Sequence, residues 1–211
     1  MGRQGDAQDA VPAPTSDAQL TVYDVDRGYV IKLQGAEFTA GTWVARNTSI
    51  YYLASNGLAA DLPEADDERN RGHRGIPPPI HVVRWDEVQA GSIRHVLKAA
   101  IRRTAPKHVY PAEADSGSSG VIPEGAVFRI KPAVDLRARG LRGPALIIAR
   151  AMKRYGIVVG DQTGVPMALK VENMAAEGRS ARWADIGIHP KSLSALSFDD
   201  FHCIKLGYHR A

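Results

Sequence analysis

Seven histidines are scattered along the chain: His73, His81, His95, His108, His189, His202 and His209. None falls in an HExxH, HxH or DxD metal spacing, so neither a metal nor any other cofactor is expected. His95 stands out. It follows an acidic turn that carries Asp86 and Glu87, in the stretch "RWDEVQAGSIRHVLKAAI" over residues 84–101. A neutral imidazole with an ordinary pKa of about 6.5 suits general acid–base work. The structural alternative is a histidine bonded to Asp86 or to a backbone carbonyl. Glycoside hydrolysis needs two carboxylates facing each other across a groove, and Asp86 or Glu87 with Asp161 or Glu172 are the candidates. Asp161, in "GDQTG", also reads as plain turn chemistry. Glu172, in "LKVEN", has Lys170 as an alternative partner. A polysaccharide lyase would instead pair a base, His95 or a tyrosine, with an Arg or Asn that neutralises a uronate carboxylate.

The binding candidates are of three kinds. Asn56, in "LASNGL", has an amide for a sugar hydroxyl or carboxylate, or it simply serves a turn beside Gly57. Arg74 and Arg84 can grip a carboxylate bidentately, or pair with a neighbouring acid. Trp85 and Tyr110, with Trp43, Trp183, Tyr51 and Tyr155, are sugar-stacking platforms or core residues. The sequence has no Gly-rich phosphate loop and no GxSxG. Cys203 is the single cysteine, which forbids an internal disulfide and paired-cysteine zinc sites. Its setting, "FHCIKL", alternates like a strand and predicts a small buried hydrophobe.

Short strands must position these residues. "QLTVYDV" and "YVIKL" flank Asp26-Arg27-Gly28 and read as a hairpin. "GTWVARNTSIYYL" reads as two more strands around Arg46-Asn47. A polar loop follows over 61–79, a rim or lid for a groove or else a solvated excursion. Its three prolines predict an extended exit into a strand, "IHVVRW". A second loop spans 111–125, before the strand "AVFRIKP". "GPALIIARAMKRYG" is the clearest helix, with Pro144 in its first turn, Lys153 and Arg154 in its last, and Gly156 as its stop. "IVVGDQTGVPMALKVEN" reads as strand, turn, strand, "MAAEGRSARWADIGIHP" as a loop, and "FHCIKL" as the last strand. The expected fold is mainly β, an antiparallel β-sandwich or jelly-roll-like domain with one amphipathic helix packed on it. Residues 1–18 are expected to be a disordered tail and 19–211 a single β-rich domain.

The stretch 84–101 itself has two readings. As one helix, Ile93, Val96, Leu97, Ala100 and Ile101 share a face. Alternatively, 85–90 is one helical turn stopped by a left-handed Gly91, and a strand from about 93 to 101 points His95, Leu97, Ala99 and Ile101 one way.

Composition narrows the function classes. At 211 residues the chain is long enough to bury a core without crosslinks. No run approaches the roughly 18 apolar residues of a membrane span. The net charge of +4 comes from 27 basic and 23 acidic residues without a dense basic block. That balance fits either acidic glycans or simple solubility, and nucleic acid is not an expected partner. The helix cations Arg150, Lys153 and Arg154 already have a local reason at a helix C-terminus.

The pieces "TVYDVDRGYVIKL", "GTWVARNTSIYYLASNGL", "RWDEVQAGSIRHVLKAAI", "HVYPA", "IPEGAVFRIKPAVDL" and "IARAMKRYGIVVGDQTG" resemble, in order and spacing, a largely uncharacterised family of mostly actinobacterial, exported bacterial proteins. The resemblance implies export and a shared fold, not a specific activity. Its members are richer in β-formers opposite 93–101, which favours the strand for that stretch. They often carry a histidine where this chain has Gln19. Longer members continue ahead of "TVYDVDRG", which leaves two expectations open: this chain is the C-terminal part of a larger family domain, or it has streamlined the N-terminal piece away. An extracellular, glycan-directed protein follows as the leading expectation, most simply a lyase or glycoside hydrolase acting on polysaccharide. A non-catalytic module for glycan or cell-wall polysaccharide is the second expectation, and a structural or assembly protein the third. A cytoplasmic setting and the oligomeric state stay open.

Overall fold

The computed structural model describes residues 11–13, 17–54, 75–174 and 182–204. The chain divides into two compact units, Met1–Pro79 with Asn173–Ala181, and Ile80–Glu172 with Arg182–Ala211. The fold is mainly β, as expected.

In the first unit, β1 (Leu20–Asp24), β2 (Tyr29–Gln34) and β5 (Asn47–Tyr52) form an antiparallel sheet in the order β1-β2-β5. The β1–β2 hairpin is the one the sequence predicts. Asp24 Oδ1 accepts the Arg27 amide at 2.9 Å, and Gly28 supplies the positive φ of the turn. A small hairpin, β3 (Glu37–Thr39) and β4 (Thr42–Val44), adds a strand the sequence does not announce. Ala40 and Gly41 both take positive φ at its tip, the two-residue turn that matches strand twist. Phe38 packs against Trp43 across it at 5.3 Å between ring centroids.

The second unit is built on a five-stranded sheet in the order β10-β7-β8-β6-β9. Its strands are β6 (Leu97–Ile101), β7 (Val127–Ile130), β8 (Ile157–Gln162), β9 (Met167–Leu169) and β10 (Phe201–Ile204). The sheet is mixed. β6 pairs with β8 in parallel, Leu97 opposite Ile157, and with β9 antiparallel. The two halves of "IVVGDQTGVPMAL" are therefore separated by β6 instead of pairing with each other. β6 is covered on both faces: Leu97, Lys98, Ala99 and Ala100 are all buried. Small alanines let the neighbouring layers approach a doubly covered strand, and they are what make the segment look helical in isolation.

One amphipathic helix, α3 (Gly143–Arg154), covers the sheet. Leu146, Ile148, Ala149, Ala151 and Met152 form its buried face, and burial of each large one contributes about 1.5–3 kcal/mol. Pro144 sits in its first turn as predicted. Lys153 Nζ donates to the Pro132 and Val134 carbonyls at 2.8 and 2.7 Å. Gly156 ends the helix at φ +98°, where a Cβ would stand 2.7 Å from the Phe128 carbonyl oxygen.

Three local expectations are corrected. "IHVVRW" is not a strand. Pro78 and Pro79 open a helical turn, α1 (Pro78–His81), because the fixed φ of proline suits a helix start as well as an extended exit. Val83 makes only an isolated bridge to Val171. Second, Gly91 does stop the helical turn α2 (Trp85–Gln89), at φ +78°, but the strand begins at Leu97. His95 thus lies in the link before β6 and not on a sheet face. Third, Cys203 is exposed. β10 is an edge strand, where alternation does not guarantee a covering layer. Among the described residues no helix is long and apolar enough to cross a membrane.

Gly91→Ala meets no atom within 4 Å, so only backbone strain opposes it, about 1–2 kcal/mol. Gly156→Ala adds a clash with a fixed carbonyl and is the more damaging change. Urea titration should give that order of midpoints with an unchanged slope; equal midpoints would refute the assignment of Gly91 as a purely conformational stop.

Candidate functional site

The densest polar constellation surrounds α2. The first amide of this short helix, Trp85 N–H, donates to Glu172 Oε2 at 2.7 Å, satisfying a helix-start donor that has no intrahelical partner. Glu87, two residues on, accepts from Arg84 Nη2 through Oε1 at 2.9 Å. Its Oε2 lies 2.9 Å from His95 Nε2. Arg84 Nε lies 3.5 Å from Asp86 Oδ1, which also accepts the Glu87 amide at 2.9 Å. His95 Nδ1 is 2.9 Å from the carbonyl of Val96, and His81 Nδ1 is 2.9 Å from the same oxygen. A carbonyl has two lone pairs, so it can accept both rings.

This geometry limits the chemistry. Both ring nitrogens of His95 face acceptors, the Val96 carbonyl and the Glu87 carboxylate. Both oxygens of Glu87 are likewise engaged. The Arg84–Glu87–His95 chain is a saturated clasp that fixes the link between α2 and β6. Burial opposes the ionised form of Asp86, but the Arg84 charge and the Glu87 amide outweigh it and hold this carboxyl below its ordinary range. With 53% of its side chain exposed, and 37% of that of Arg84, this pair is presented outward from a rigid base.

The remaining candidates divide. Trp85 packs edge-on against Trp183 at 5.4 Å, and Trp183 Nε1–H donates to the Glu172 carbonyl at 2.9 Å. Trp85 and Glu172 thus join the α2 constellation. Asp161 does not accompany them. It sits near the end of β8, its Oδ1 accepting the Gln162 amide at 2.8 Å and its Oδ2 3.9 Å from Lys170 Nζ. Lys170 therefore pairs with Asp161, not with Glu172. Tyr110 is half-buried at the start of the 111–125 loop, followed by a cis peptide to Pro111. Asn56 and Arg74 lie outside the described residues.

Two features escape sequence reasoning. The first is a groove of ≈ 450 Å³ lined by Gly91, Ser92, Ile93, Arg94 and, from α3 and its end, Ile147, Arg150, Ala151, Arg154 and Tyr155. The i, i+4 spacing of Arg150 and Arg154 was its one visible signal. The second is Glu124, fully buried. It accepts from Thr104 Oγ1 at 3.3 Å and from Ser116 N and Oγ at 3.2 and 2.9 Å. Among the described residues no group of three or more His, Cys, Asp or Glu could hold a metal ion. No protein-family model, curated protein or solved structure matches the chain.

His81 titrates unusually. Burial, reinforced by the nearby charges of His95 and Lys98, overcomes its bond to Val96 and lowers its pKa from 6.5 to about 4. The folded protein binds this proton less readily than the unfolded chain does. The associated stability is therefore complete above pH 6.5 and lost as pH falls towards 4, with about 2 kcal/mol gone by pH 5. His81→Asn keeps a donor near the Nδ1 position and removes the titration. Its urea midpoint should fall less between pH 7 and 5 than that of the parent; parallel losses would show that His81 is not the acid-sensitive group.

Proposed function

We propose that this chain is an extracellular, glycan-directed binding module and not a lyase or hydrolase. The observation that supports binding over turnover is the saturation of the α2 clasp. A general base must offer a free lone pair to its substrate, whereas both nitrogens of His95 face acceptors 2.9 Å away. The partly exposed rim of the clasp suits recognition chemistry. Arg84 and Asp86 present charged planar groups beside Trp85, and planar donors and acceptors next to an aromatic ring suit sugar hydroxyls and the C–H faces of sugar rings. Prior fixation of these side chains lowers the ordering cost of binding. The family resemblance adds export as the setting. One observation favours the catalytic reading: arginine, carboxylate and imidazole do converge in a single chain of contacts.

A glycan array, run beside assays for new reducing ends and unsaturated products, separates these readings. Retention of a glycan without product is expected, with Arg84→Ala weakening it about tenfold, or 1.4 kcal/mol. Product formation that vanishes in His95→Ala would replace the binding module with an enzyme.

A further inference from the structure

The arginine-lined groove is adjacent to the α2 clasp in sequence, yet its electrostatics are the reverse. Around α2, Arg84 meets carboxylates. Elsewhere in the same unit Arg139 meets Asp200, while Arg129 and Arg142 donate to backbone carbonyls. Arg94 and Arg150 make no ion pair or hydrogen bond with any described residue. Arg154 only lies over the Tyr155 ring, 5.5 Å from its centroid. Three guanidinium groups thus converge on one groove without a counter-charge among the described residues.

The ordinary explanations account for only part of this. A cation in the last turn of a helix interacts favourably with the helix dipole, which covers Arg154. It does not extend to Arg150, which the structure places a turn earlier than the sequence reading expects, or to Arg94, which is not on the helix. Like charges at i and i+4 repel each other, so the α3 pair is mutually unfavourable, and Arg94 adds to it. The floor between them is apolar: Ile93 is 4% exposed and Ala151 2%, and Ile147 completes it. A volume of ≈ 450 Å³ lies within the roughly 300–1,000 Å³ range of ligand sites.

We infer that this groove binds the carboxylates of an acidic polysaccharide. Each guanidinium can take a carboxylate through two parallel bonds, and the half-buried Ile147 beside them offers an apolar contact to a sugar ring. Nucleic acid fits less well. Its readers carry a long basic stripe or open aromatic platforms, whereas here the arginines are confined to one compact groove and Arg154 lies over Tyr155. The choice of polysaccharide as the carrier rests on the glycan-directed reading above; the preference for anions rests on the groove alone.

The test uses the full chain and calorimetric titration with three probes: oligogalacturonate, the same oligomer fully methyl-esterified, and a single-stranded oligonucleotide of equal length. Arg150 is exposed and makes no bond with any described residue, so Arg150→Glu should fold normally; circular dichroism checks this, and Arg150→Ala is the milder companion. Oligogalacturonate is expected to bind, esterification and Arg150→Glu each to cost at least about tenfold, and affinity to fall with added salt. Glycan binding indifferent to both esterification and Arg150→Glu overturns this inference while the glycan-directed reading stands. Failure of all glycans, acid or ester, overturns both. Tighter capture of the oligonucleotide overturns the choice of polysaccharide.

Discussion

The parallel pairing of β6 with β8 is the constraint from which the second unit follows. With Leu97 opposite Ile157, and Leu97 N–H donating to the Gly156 carbonyl at 3.1 Å, the segments that enter the two strands are held side by side. Arg94 stands three residues before the first strand and Arg154 three residues before the second. Their convergence is thus a consequence of register. Each approach has the same grammar: a helix, a left-handed glycine, then a strand, with Gly91 after α2 and Gly156 after α3. Parallel neighbours cannot be joined by a tight turn and need a long crossover. Here the crossover contains the 104–125 loop, β7 and α3, and α3 brings Arg150 and Arg154 to the mouth of the pair.

The opposite end of that pair is closed. Thr163 N–H donates to the Ile101 carbonyl at 2.9 Å, and the Gln162 side-chain amide donates to the Ser116 carbonyl. Beside them Glu124 gathers the Thr104 and Ser116 donors. Gly117 and Gly120 press against the 103–105 backbone so closely that a Cβ would stand 1.6 Å from the Ala105 oxygen and 2.2 Å from the Arg103 oxygen. A buried carboxylate is tolerable only when its oxygens are bonded, so Glu124 obliges the loop to keep these donors in place. One end of the parallel pair is a sealed polar knot and the other an open basic mouth.

What was legible in the sequence was local. The β1–β2 hairpin follows from Asp24, Arg27 and Gly28. The α3 helix follows from Pro144, its apolar period and Gly156. The Gly91 stop resolves the ambiguous 84–101 stretch because a left-handed glycine is a backbone requirement independent of tertiary context. Proximity of His95 to the acidic turn was legible too, but its carboxylate partner is Glu87 and not the Asp86 the sequence suggested. Strand order was not. Nothing in "LKAAI" states that β8 will pair with it in parallel, and without that pairing Arg94 has no relation to Arg150 or Arg154. The place of His95 in a link, the helical turn at Pro78–His81 and the exposure of Cys203 failed for a related reason: periodicity reports which residues alternate, not which face is covered.

The clasp and the groove are coupled through one short link. Ile93 is buried, and His95 is tied to both Val96 and Glu87, so Arg94 lies between two anchored neighbours. The clasp can therefore serve recognition without touching a ligand, by fixing the backbone from which Arg94 projects. Isolated arginine–carboxylate pairs at an exposed site contribute only about 0–1 kcal/mol each. A polymer with a carboxylate on successive sugars is different, because once one is held the others are presented at high effective concentration. Three arginines on fixed elements can add such small terms with little further ordering cost. A monovalent anion cannot gain in that way, and this is the physical argument for a polymeric acid over a small one at the mouth of the β6–β8 pair.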